Sequence, residues 1–124
     1  MFKLSIFRHC EISFSNLNEI VKIKTKAWNY SFQEQKLWIE NNLCSNDIHI
    51  LLLRDNEYVA YLNLIDIEIF IDNIHFKGYG VGNVCSIEKG KGYGKELMKL
   101  LNNKIIEENR VGLLFCKDNL VDFY

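Results

Sequence analysis

The sequence contains no proline. With asparagine, lysine and isoleucine plentiful, this reads as compositional bias and carries no functional weight. No apolar run approaches the ~20 residues that span a bilayer, which argues against a membrane protein. Fifteen Lys and Arg stand against sixteen Asp and Glu, for a net charge of −1. That balance offers no electrostatic case for a nucleic-acid partner or an anionic membrane surface. The N-terminus carries Lys3, Arg8 and His9 among apolar residues but neither an h-region nor a small-residue cleavage site, so the expected location is cytoplasmic. The four cysteines, Cys10, Cys44, Cys85 and Cys116, form no C-x-x-C pair. Zinc-binding and thioredoxin-like chemistry are thereby disfavoured; free thiols and no metal are expected.

What is present is ordinary globular material. The 124 residues, 48% apolar and 25% charged, make a single domain over 1–124 with one core. Phe2, Leu4, Ile6 and Ile12 alternate with polar residues and predict a half-buried strand within 2–13. Asn16 followed by Glu19 reads as a capping box, and Leu17, Ile20, Val21, Ile23, Ala27 and Trp28 form a helical stripe behind it. Ser31 and Glu34 form a second box, opening a shorter helix to about Leu43. Strands are predicted over 48–54, 57–71 and 74–87, joined by turns at Asp55-Asn56 and Asp72-Asn73. Gly78, Gly80 and Gly82 would weaken the third of these, and a bulge is expected near Gly82-Asn83. The stripe Leu97, Leu100, Leu101 and Ile105 marks a helix from Tyr93 to about Asn109, with Gly112 after its stop. Residues 111–116 read as a buried strand, and 119–124 begin something helical. The order strand-helix-helix-strand-strand-strand-helix-strand implies a mostly antiparallel sheet with helices on both faces.

The chain turns on Val84–Met98. An apolar run passes into Gly90, Gly92 and Gly94, spaced G-x-G-x-G, and a helical pattern follows at once. This layout points unpaired helix amides and a positive dipole end at an anion, and glycine lets the backbone approach closely. Lys89, Lys91 and Lys95 add mobile positive charge. The P-loop pattern fails because Lys89 stands where its first glycine belongs and Glu96 follows Gly94-Lys95. The dinucleotide fingerprint fails on glycine spacing.

The fit is better to [QR]-x-x-G-x-[GA], with Lys89 at the basic position and Gly92 and Gly94 as the glycines. From Val84 to Leu101 the chain resembles the GCN5-related N-acetyltransferase (GNAT) superfamily. The element order matches over nearly the whole chain, so the resemblance implies an α/β (α+β) acyl-CoA N-acyltransferase fold. The sequence stops at Tyr124, before that fold's usual sixth and seventh strands; the alternatives are an open edge at the last strand completed by a homodimer partner, a cofactor-binding remnant, or a truncated chain.

The resemblance implies acetyl-CoA (coenzyme A) as cofactor, held by Lys89, Gly90, Lys91, Gly92, Tyr93, Gly94 and Lys95. Backbone groups of Cys85 and Ile87 would bind the pantetheine amides like an added strand. Asn119 matches the family's pantetheine-binding asparagine, against the plainer reading of a helix cap. Tyr124 matches the tyrosine that protonates the departing thiolate, against a frayed terminal residue. The implied reaction is transfer of acetyl to a primary amine of a small molecule or peptide, by direct attack in a ternary complex. The ammonium must first lose a proton. Glu68, with Asp66 on the same strand face, and His75 are candidate bases; the plainer readings are a solvated strand end and a hairpin residue. The family's glutamate on the fourth strand has no counterpart among Val81, Gly82 and Asn83. An oxyanion would be held by a fourth-strand N–H. A covalent acyl-cysteine at Cys85 or Cys116 is disfavoured, since buried cysteine is common in cores. Trp28, Tyr30, Phe32 and Trp38 cluster where the family places its acceptor, although core packing is the default for such aromatics. A faint likeness to aminoglycoside 2′-N-acetyltransferases carries little weight without an acidic patch. The alternative function is a catalytically impaired coenzyme A-binding remnant or interaction module.

Overall fold

Asparagine and aspartate set both hairpins. Asp55 and Asn56 take φ of 48° and 70°, and Asp72 and Asn73 take 50° and 64°. Positive φ at both central residues is the turn geometry whose twist matches paired strands, and these side chains tolerate it. The computed structural model describes residues 1–114 and builds on these turns a five-stranded sheet. The strands are β1 (Phe2–Arg8), β2 (Ile48–Arg54), β3 (Glu57–Ile71), β4 (Ile74–Ser86) and β5 (Val111–Leu114). They lie in sequence order, antiparallel except for the parallel β4–β5 pair. The helices are α1 (Phe14–Ala27), α2 (Phe32–Asn42) and α3 (Tyr93–Glu107). Among the described residues, no helix is long and apolar enough to cross a membrane.

Both sheet faces are apolar because both are covered. Against α3 lie Ile50, Leu52, Ala60, Leu62, Leu64 and Tyr79, packed on Tyr93, Leu97 and Leu101. The other face sets Leu51, Tyr61 and Cys85 against Leu17, Ile20, Val21 and Ile23 of α1 and Ile39 of α2. Leu97 and Leu101 are essentially inaccessible to solvent, so truncating either to alanine would remove about 2–5 kcal/mol.

Several expected boundaries move. The first strand ends at Arg8, and His9–Glu11 form a 3-10 turn; Ile6 is exposed while Phe7 packs against the α1–α2 side. Helix α1 starts at Phe14, not after Asn16. Ser13 is the cap, its Oγ accepting the Asn16 N–H at 3.0 Å. The second capping box forms as expected, Ser31 Oγ accepting from Glu34 N at 3.1 Å and Glu34 Oε1 from Ser31 N at 3.2 Å. Helix α3 closes on Asn109, whose φ of 58° supplies the left-handed residue there, while Gly112 lies inside β5. Strand β4 runs unbroken through its glycines. At Gly78 an added Cβ would meet the Val111 carbonyl at 2.7 Å, so this glycine admits β5. The bulge falls where expected. Tyr61 pairs with Cys85 but Asn63 with Gly82, so Asn83 and Val84 together oppose Leu62, with Asn83 at φ 54°.

Candidate active site

The loop after β4 leads directly into the start of α3. Gly90 and Gly92 have φ of 79° and 75°, a conformation that L side chains rarely adopt. A Cβ at either would meet nothing within 4 Å, so the space in front of the loop is open. Gly92 is the residue preceding α3 and has no side chain to cap it. Its carbonyl receives the Glu96 N–H at 3.0 Å, which leaves the first-turn amides of Tyr93, Gly94 and Lys95 without an intrahelical acceptor. Lys89, Lys91 and Lys95 are exposed around the opening. Uncapped amides, left-handed glycines and flexible cations fit a pyrophosphate in this cradle.

The Tyr93 side chain is buried and does not line the loop opening. It turns into the α3-side core, edge-on to Phe2 at 6.4 Å between ring centroids, and its hydroxyl accepts from Arg54 Nη1 at 3.2 Å.

The backbone groups expected of Cys85 and Ile87 are engaged elsewhere. Ile87 N–H donates to the Val59 carbonyl at 2.9 Å, and Cys85 stands opposite Tyr61 in the same ladder. Antiparallel alternation turns the intervening residue outward, so Ser86 presents its N–H and C=O away from β3. Among the described residues, β5 covers that side of β4 only from Gly78 to Val81. The correction from Cys85 and Ile87 to Ser86 is a one-residue change that follows from the bulge. Burial pushes the Cys85 thiol up to about 12, partly offset by the nearby Lys24 charge, so it stays protonated and is a poor nucleophile.

Glu68 and His75 meet each other but not the loop. His75 Nε2 lies 3.5 Å from Glu68 Oε1 near the turn that closes the β3–β4 hairpin. Eight residues of β4 separate His75 from the bulge, roughly 26 Å at strand rise. That distance removes both as proton acceptors at a site beside the loop. Asp66 is likewise committed, paired with Arg110 Nη1 at 2.6 Å. Asn119 and Tyr124 lie outside the described residues, as does Cys116.

The aromatics of the α1–α2 junction are not core. Trp28, Tyr30, Phe32 and Trp38 are all at least 37% exposed. Trp28, Tyr30 and Trp38 wall a pocket of about 430 Å³ together with Lys24, Glu34, Gln35 and the bulge residue Asn83; Phe32 faces a different groove, beside Glu19 and Lys22. The pocket reaches β4 at Asn83, three residues or about 10 Å along the strand from Ser86. Lys24 is buried to 2% exposure, with its Nζ 4.4 Å from the centre of the Trp38 ring.

Sequence reasoning also missed a buried polar chain under the α1–α2 side. Asn63 Nδ2 donates to Tyr61 Oη at 3.3 Å, Tyr61 lies 2.7 Å from His49 Nδ1, and His49 Nε2 lies 3.0 Å from His9 Nδ1. One proton ordering satisfies all three: Tyr61 O–H donates to His49 Nδ1, and His49 Nε2–H donates to His9 Nδ1. Burial foremost, then the His9 and Lys24 charges, lowers the His49 pKa to about 4. Burial likewise raises that of Tyr61. Asn63 Oδ1 has no partner among the described residues. The available signal was His49 and Asn63 inside otherwise apolar strands.

No protein-family model matches the sequence, and no curated protein matches it. Solved structures do match the fold. An acetyltransferase from Trypanosoma brucei superposes with a TM-score of 0.70 at 14% identity, over 100% of this chain and 89% of that one. A GNAT family acetyltransferase from Staphylococcus aureus gives 0.68 at 15%, over 94% and 87%. A predicted acetyltransferase from Clostridium acetobutylicum, solved with acetyl-CoA, gives 0.66 at 14%, over 100% and 86%.

Proposed function

We propose that this chain, whose fold is that of the GCN5-related N-acetyltransferases, transfers an acetyl group from acetyl-coenzyme A to a primary amine. One observation carries the proposal: two left-handed glycines and three uncapped α3 amides form an open anion cradle at the end of the one strand that borders both cradle and aromatic pocket. The cofactor supplies the acyl group in thioester form, activated toward an amine.

The chain's own residues divide the remaining work. The amides of Tyr93, Gly94 and Lys95 hold the pyrophosphate, aided by Gly90 and Gly92 through their open backbone and by Lys89, Lys91 and Lys95 through charge. Ser86 offers one N–H and one C=O to the pantetheine arm in the manner of an added strand. The pocket of Trp28, Tyr30 and Trp38 receives the amine, with Asn83 at its border with β4. Asn119 and Tyr124 keep the roles the resemblance implies, as pantetheine contact and thiolate acid. With Glu68 and His75 distant, the proton leaves the ammonium through solvent or through groups outside the described residues. A homodimer and a cytoplasmic location remain part of the proposal.

Thiol release from acetyl-coenzyme A, followed over a panel of amino acids, polyamines, aminoglycosides and peptides, tests the reading. Amine-dependent release is expected. Saturable coenzyme A binding without release on any amine would favour the impaired, binding-only alternative. Absence of coenzyme A binding would overturn the cradle assignment itself.

A further inference from the structure

Lys24 is a buried charge without a carboxylate partner among the described residues. It sits on α1, 2% exposed, among Ile20, Val21 and Ile23. Most lysines keep the ammonium in water, and a buried one costs several kcal/mol unless paired. Among the described residues, the Lys24 side chain makes no hydrogen bond and no ion pair with a carboxylate; its ammonium stands 4.4 Å from the centre of the Trp38 ring, with the Cys85 thiol nearby. Burial lowers its pKa accordingly. Glu34, the one acid lining the same pocket, has Oε1 engaged by the Ser31 N–H at 3.2 Å.

The pocket therefore has aromatic walls and a single half-satisfied cation at its floor. From this geometry we infer that the pocket selects amines that also carry a carboxylate, the amino-acid class, with Lys24 as the anchor for that carboxylate. The inference rests on the aromatic pocket being the acceptor site. One cation matches a monoanion; a phosphate dianion calls for more positive charge, and Lys22 and Lys26 line a different groove. Aromatic walls accept a planar or apolar side chain, and the Trp38–Lys24 contact keeps the ammonium oriented before a ligand arrives. A ligand carboxylate at Lys24 would form a charge-assisted hydrogen bond shielded from water, where such bonds are strongest. The amino group of the same ligand then lies toward Asn83 and the end of β4.

The chain has two tryptophans, and both line this pocket, so intrinsic fluorescence reads occupancy without requiring turnover. L-phenylalanine and L-phenylalanine amide, which differ only at the carboxylate, are titrated against wild type, Lys24→Met and Lys24→Arg, with O-phosphoethanolamine as the phosphate probe. Wild type is expected to bind phenylalanine at least tenfold tighter than the amide. Lys24→Met, which keeps the stem and relieves the buried charge, should retain the fold by circular dichroism and lose the preference; Lys24→Arg should keep part of it. Equal binding of acid and amide, no saturable response to phenylalanine, an unchanged preference in Lys24→Met, or tighter binding of phosphoethanolamine would each overturn the inference. The acyl-transfer reading is judged separately by thiol release. A pocket that discriminates without turnover sinks that reading alone, and turnover without discrimination sinks this one alone.

Discussion

Gly92 concentrates two demands on one residue, and they can be separated. Its φ of 75° penalises any β-branched side chain, whatever the space. The open volume in front of it is where a phosphate would stand. Gly92→Val violates both demands and is expected to lose coenzyme A binding together with some stability. Asparagine tolerates the left-handed region, so Gly92→Asn tests occlusion alone. It should weaken coenzyme A binding tenfold or more by calorimetry while the melting temperature stays within a few degrees. Wild-type affinity in Gly92→Asn would mean that the pyrophosphate does not approach there.

At the scale of the element, the two caps of the α1–α2 pair make a controlled comparison. Ser13→Ala removes the hydroxyl that accepts from Asn16 N and should cost about 1 kcal/mol in urea unfolding; Asn16→Ala should cost only a few tenths, because Asn16 receives the cap and does not supply it. The same pair shows what a sequence makes legible. Ser31 and Glu34 satisfy the reciprocal pattern in full, and α2 starts where that pattern places it. At α1 the pattern matched Asn16 and Glu19 by composition while the real cap, Ser13, lacked a glutamate three residues on. The hairpin turns were readable because positive φ at Asp-Asn is decided within two residues. The glycine loop was readable for the same reason. The exposure of Trp28, Tyr30 and Trp38 was not, since an aromatic stripe looks identical whether another element covers it or leaves a pocket. Nor was the separation of Glu68 and His75 from the loop, which depends on how far a long hairpin runs past the rest of the sheet.

For the molecule as a whole, the polar chain through His49 couples stability to pH. His49 is neutral in the fold with a pKa of about 4, against about 6.5 in the unfolded chain. Its contribution is therefore complete above about pH 6.5 and is lost as pH falls toward 4, because only the unfolded chain takes up the proton. The full window corresponds to about 3 kcal/mol. Urea unfolding of His49→Gln, which can still donate and accept, should show a flatter decline between pH 7 and pH 4.5 than wild type. A slope identical to wild type would assign the acid sensitivity to carboxylates instead. The bulge at Asn83 has a consequence on the same scale. Before it, Tyr79 and Val81 of β4 pack toward α3; after it, the odd-numbered Cys85 packs toward α1 and α2. The strand thus carries a half-period phase slip, and its two halves answer to opposite layers of the protein. Deleting Asn83 would leave Val84 alone opposite Leu62 and the ladder regular, with Cys85 still opposite Tyr61 and Ser86 still turned away from β3. The extra residue is thus dispensable to the sheet, and what it adds is Asn83 itself, a left-handed residue set at the border of the aromatic pocket.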